Sequence, residues 1–189
     1  FQMRRVRTFL GGHVFSPATR YRLQFEWNSN GGNTLDAFIE QDLWNNEEWS
    51  LSGRAGSMKT FFGKESTGTA KSLMFVERSL AARTLSGDDR RAVGALFNLK
   101  GMDNHLFVHA GVFNAGQANG STFGSGHLTA NADNELNYTV GGRYEFGEDM
   151  SDEWFEQGDL AASEEMQASV HANIWIGNER GATGDVDVF

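Results

Sequence analysis

The stretch Arg20-Tyr21-Arg22-Leu23-Gln24-Phe25-Glu26-Trp27 decides the fold class. Successive side chains of an extended chain point to opposite sides, so Tyr21, Leu23, Phe25 and Trp27 share one face and Arg20, Arg22, Gln24 and Glu26 the other. A helix would scatter these residues around its circumference. The same split recurs at Leu106, Val108, Ala110 and Val112 against His105, Phe107, His109 and Gly111. It returns at Leu136, Tyr138, Val140, Tyr144 and Phe146 against Asn137, Thr139, Arg143 and Glu145. The last such run sets Met166, Ala168, Val170, Ala172, Ile174 and Ile176 against Gln167, Ser169, His171 and Asn173.

Working outward, the alternation predicts eight or nine antiparallel strands, near 2–15, 20–28, 34–43, 49–62, 90–99, 105–114, 135–146, 165–177 and 184–189. At about ten residues or more, these runs match a tilted strand crossing a bilayer and exceed the five or six typical of soluble sheets. Tight connections are expected at 16–19 and 100–104, and long polar ones at 63–89, 115–134 and 147–164. Outer-membrane barrels combine short turns with long external loops, and their strand ends carry aromatic girdles, for which Trp27, Trp44, Trp49, Tyr144, Phe146 and Trp175 are candidates. A soluble all-β binding module would use the same aromatics as core, so pattern alone leaves both architectures standing.

Composition narrows the classes. The chain has 189 residues with 23 Gly, 15 Phe, 1 Pro and no Cys, which favours extended segments in a single domain and excludes disulfides and thiolate metal sites. No apolar run approaches the length of a helical membrane span. A net charge of −9 argues against a nucleic-acid partner, although overall charge says little about a local field. The segment 147–164 carries Glu148, Asp149, Asp152, Glu153, Glu156 and Asp159 without a basic residue and reads as a solvated acidic external loop.

Between Gly56 and Asn114 the words become specific: Gly56-Ser57-Met58-Lys59-Thr60-Phe61-Phe62-Gly63, then Phe75-Val76-Glu77-Arg78, then Arg91-Ala92-Val93-Gly94 and Gly111-Val112-Phe113-Asn114. In order and spacing this stretch resembles the phosphate-selective porin O and P family. The resemblance implies a sixteen-stranded transmembrane barrel, of which this chain as an N-terminal fragment would supply about half. It also implies a homotrimer in the bacterial outer membrane, in contact with lipid and lipopolysaccharide, with loop 63–89 folded inward to narrow the pore. The implied function is a passive diffusion channel for small hydrophilic solutes, with a preference for anions such as phosphate or polyphosphate. A general non-selective porin is the alternative, and neither needs a cofactor.

The resemblance places Arg78 at the constriction, where a guanidinium's planar fork suits phosphate oxygens and stays charged at any relevant pH. Lys59, Lys64, Ser66, Thr69 and Lys71 are the further constriction candidates. Anion-binding members carry a Lys and a Ser-Ser pair before the Phe-x-Glu-Arg motif; here Ser66 and Thr69-Ala70 stand instead, and Lys64 and Lys71 lie close enough to substitute for the Lys. Arg5, Arg7, Arg20, Arg22 and Arg54 could form a basic stripe along the wall, or be ordinary lumen residues balanced by Glu26, Asp36 and Glu40. Glu77, Arg90 and Arg91 read as loop anchors.

Catalytic constellations are poor. His105 and His109 share a strand face but stand roughly 13 Å apart, too far to ligate one metal. With no nucleophile elbow, phosphate-binding Gly-Lys loop or zinc-helix motif, an enzyme is not expected.

Overall fold

The computed structural model describes residues 6–28, 31–68, 75, 78–80, 91–114, 136–147, 166–181 and 184–188. Among the described residues nine strands run in chain order through one antiparallel sheet: β1 (Val6–Val14), β2 (Ser16–Asn28), β3 (Gly31–Asn45), β4 (Ser50–Lys59), β5 (Arg91–Gly101), β6 (Leu106–Asn114), β7 (Leu136–Gly147), β8 (Gln167–Gly181) and β9 (Gly184–Val188). A single helical turn, α1 (Lys64–Thr67), lies between β4 and β5. Among the described residues β1 and β9 each pair on one side only, so the sheet is open, as part of a barrel wall would be. The expected all-β antiparallel class holds.

Register turns the alternation of each strand into two continuous faces. Ile39 faces Ala55, Ala55 faces Ala95, Ala95 faces Val112, Val112 faces Tyr138 and Tyr138 faces Ile176. This apolar face stays open to the surroundings: Phe97 is 50% exposed, Val140 52% and Ile174 57%. A sheet that left so much hydrocarbon in water would forgo about 25 cal/mol for each Å², so the face needs an apolar medium such as lipid. In a soluble module a second layer would cover it, and the described residues contain only this one sheet.

The opposite face is mostly polar, with Phe9 under the Arg22 guanidinium near one edge and an apolar cluster by the β4–β5 connection. There Met58, Leu96, Phe113 and Trp175 are buried, with Phe38, Phe61, Phe62 and Ala92 packed against them. Trp175, expected in an interfacial girdle, therefore belongs to this cluster; it stacks on Phe113 at 6.1 Å, because its strand parity puts it opposite Ile174 and Ile176.

Several boundaries depart from expectation for local reasons. The first turn is Phe15 alone, at φ 63°, and β2 begins at Ser16 rather than Arg20. Pro17 fits there because the pairing of β2 with β3 begins only at Thr19, so no ladder bond needs its missing N–H. Strand β4 stops at Lys59 rather than running to 62, because Phe61 adopts φ 53° and turns the chain off the sheet. Asn46 closes the β3–β4 turn through Oδ1, which accepts from the backbone N–H groups of Glu48 and Trp49.

The long connections do not share an end. In an antiparallel meander successive connections alternate ends, so those between β4 and β5 and between β6 and β7 leave one end, and the acidic 147–164 connection between β7 and β8 leaves the other. The 147–164 connection, expected as an external loop, thus leaves the end opposite to that of the 63–89 connection. Most residues of the acidic segment lie outside the described residues.

Candidate functional site: a basic cavity beneath the inward loop

Phe61 and Gly63, both at positive φ, carry the chain from the end of β4 back over the polar face. Gly63 takes φ 80°, a conformation open to glycine at little cost, and its carbonyl accepts from Thr67 N and Thr67 Oγ1 to form the turn of α1. Two cations then fasten the carbonyls at the end of α1. Lys59 Nζ donates to Thr67 O at 3.0 Å and to Gly68 O at 2.7 Å. Arg78 donates through Nε to Glu65 O at 2.8 Å and through Nη2 to Gly68 O at 3.3 Å. Positive charge is favourable here because these carbonyls form the negative end of the turn.

Two rings pin the loop to the wall. Phe62 meets Trp175 edge-on at 6.1 Å, and Phe61 lies 5.7 Å from the His109 ring and 6.3 Å from Phe107. Between loop and wall remains a cavity of about 220 Å³. Two registered rows of the sheet make its floor. Ser52 faces Asn98, Asn98 faces His109, His109 faces Gly141 and Gly141 faces Asn173. One step along, Lys100 faces Phe107, Phe107 faces Arg143 and Arg143 faces His171. Gly141 is required in the first row, since a Cβ would run into Asn173 Oδ1 and come within 2.6 Å of the His109 ring.

The lining is basic. Among the described residues Arg54, Lys64, Lys100 and Arg143 border the cavity against one carboxylate, Glu40. Arg54 spends much of its charge on Glu40 at 2.6 Å, and Arg143 Nε lies 2.7 Å from the buried Glu145 carboxylate. Burial, and then the nearby Arg143 charge, hold the Lys64 amine below the ordinary lysine range. The Asn98 Oδ1 acceptor is buried, and among the described residues it has no hydrogen-bond partner.

The structure separates the expected residues. Lys64 lines the cavity, whereas Lys59 and Arg78 direct their charges to loop carbonyls. Ser66 falls within α1. Along the wall each described arginine of the stripe meets a carboxylate: Arg7 with Glu26 at 2.7 Å, Arg20 with Glu40 and Asp42, Arg22 with Asp36 at 3.5 Å, and Arg54 with Glu40. Arg91 is buried against Asp36 at 2.7 Å and ties the start of β5 to β3. Arg5, Thr69, Lys71, Glu77 and Arg90 lie outside the described residues.

A connection whose first residues are pinned to the polar face of a sheet, the other face of which suits lipid, fits a porin wall. The chain belongs to the phosphate-selective porin O and P family. The family's sequence model matches residues 1–154, and so takes in β1 to β7 with the loop. No curated protein and no solved structure matches the chain. Membership in this porin family implies a channel rather than an enzyme. The family match includes Arg54, Lys64, Lys100 and Arg143; His171 and Asn173 lie beyond it. Lys100, Arg143, His109, Asn98 and His171 were not singled out from sequence as site residues. The polar faces of His109, Arg143 and His171 were legible, but the convergence of all five needs the register of four strands, β5 to β8.

Proposed function

We propose that this chain forms part of a passive channel of the bacterial outer membrane that passes small hydrophilic solutes and prefers anions such as phosphate or polyphosphate. The supporting observation is the cavity between loop and wall, where Arg54, Lys64, Lys100 and Arg143 surround one carboxylate. Near a low-dielectric wall such an excess of positive charge strengthens the field on a partly dehydrated anion. In this reading the barrel has sixteen strands, assembles as a trimer and carries its apolar face against lipid and lipopolysaccharide. The loop end faces outward, and the acidic connection then opens at the inner end.

A general, non-selective channel is the second reading, favoured by the pairing of Arg7, Arg20, Arg22 and Arg54 with carboxylates. Reversal potentials in a salt gradient across a planar bilayer separate the two. Anion preference that falls when Lys64 is replaced by Ala or Glu supports the first. An ideal, unselective response from the unaltered channel supports the second, and no conductance at all rejects both.

A further inference from the structure

The cavity is not walled by charge alone. Phe61 from the loop and Phe107 and His109 from β6 form a three-ring cluster with centroid separations of 5.7 to 6.3 Å, and all three rings line the cavity. Both arginines of the lining lie over these rings: Arg54 is 5.6 Å from the Phe61 centroid and Arg143 is 5.3 Å from that of Phe107. A guanidinium held against an aromatic face can meet an oxyanion and a planar group together, and Arg54 does so with Nε and Nη2 already donated to Glu40 at 2.8 and 2.6 Å. Beyond pinning the loop and flanking the two guanidiniums, the rings give the cavity an apolar wall that inorganic phosphate has no means to use.

Resting on the channel reading above, we propose that the cavity is a subsite for small organic anions that carry a planar ring, of the class of aromatic phosphate monoesters and carboxylates. The oxyanion meets Arg54, Lys64 and Arg143, and the ring packs against Phe61 and Phe107. The volume suffices: a cavity of about 150 Å³ accepts benzene, and this one holds about 220 Å³. Among the described residues Asn98 Oδ1 on the floor has no hydrogen-bond partner, and the hydroxyl of a singly protonated phosphate, esterified or not, can donate to it.

The test is block of ion current through the channel, isolated from outer membranes and placed in a planar bilayer, by phenyl phosphate and by inorganic phosphate. Phenyl phosphate should block at a concentration at least about tenfold lower, equivalent to roughly 1.4 kcal/mol. In Phe107→Leu and in Phe61→Leu, each confirmed as folded by heat-modifiable gel mobility, the ratio should fall toward one. Equal blocking concentrations in the unaltered channel overturn the proposal, as does a ratio that both leucine variants retain. A channel that conducts anions without discriminating the ring sinks only this inference, whereas a chain that gives no conductance sinks the channel reading beneath it.

Discussion

Arg78 donates through Nε to the backbone carbonyl of Glu65 at 2.8 Å, while the Glu65 carboxylate accepts from the Ser79 backbone N–H and hydroxyl at 2.9 and 2.7 Å. The two ends of the loop are thereby stitched together in both directions. Arg78 thus joins Lys59 in holding the loop's shape, whatever charge it adds to the pore. Charge-assisted hydrogen bonds of this kind contribute about 1.5–3 kcal/mol each. Arg78→Ala should release the loop, raising single-channel conductance and its noise. Arg78→Lys decides the cause: a clamp that depends on the guanidinium fork is not restored by Lys, whereas a purely electrostatic contribution is.

Lys64 offers a titration. Its amine is depressed below the ordinary value of 10.5 by burial, then by Arg143. A depressed lysine surrenders its charge earlier as pH rises, so anion preference should decline on the alkaline side before an ordinary lysine would begin to lose its proton. Lys64→Arg should remove this decline, since arginine stays protonated throughout. Reversal potentials measured between neutral and alkaline pH check the sign; a preference that rises with pH in the unaltered channel would contradict the assignment.

Arg143 and Glu145 make a pair worth breaking on one side only. The Glu145 carboxylate is buried and lies 2.7 Å from Arg143 Nε. Removing one partner of a buried pair costs about 3–5 kcal/mol, because the remaining charge loses its compensation, whereas replacing both by apolar groups is often near neutral. Arg143→Ala should therefore lower the temperature of the heat-modifiable gel shift clearly, and the double variant Arg143→Met with Glu145→Leu should recover much of it. A single variant as stable as the parent would show that the pair contributes little.

The apolar face gives a prediction independent of the site. Val140 and Ile174 face each other in the middle of β7 and β8, both more than half exposed. Val140→Arg should destabilise insertion by about 2–4 kcal/mol if this position sits near the bilayer midplane. Arg in place of Ser169, on the polar face, should cost a small fraction of that. Urea titration of the protein folded into lipid vesicles measures the difference, and equal costs would argue that the apolar face does not meet lipid.

Much of the fold was legible in the chain. Each side-chain face along Leu106–Val112, Leu136–Phe146 and Met166–Ile176 follows from the two-residue period of an extended backbone, which is a local property. Strand number and the existence of the long connections were legible for the same reason. The motif at Gly56–Gly63 also marked where the chain leaves the sheet. It did not reveal that Phe61 would turn at φ 53° and bring Phe62 onto Trp175, because that turn is stabilised by a cluster drawn from β4, β5, β6 and β8.

What the sequence alone determined is a meander of amphipathic strands with an apolar side and a wet side, since both are set by neighbours two residues apart. Which wet residues meet was decided only by tertiary structure. Arg143 comes beside Phe107 and His171, and Lys64 comes over them, through strand register and through a loop that folds back on the wall. Register is a property of pairs of distant segments: a slip of two residues would keep every strand's faces intact yet bring a different set of charges together, and a slip of one would turn a strand's apolar residues to the wet side.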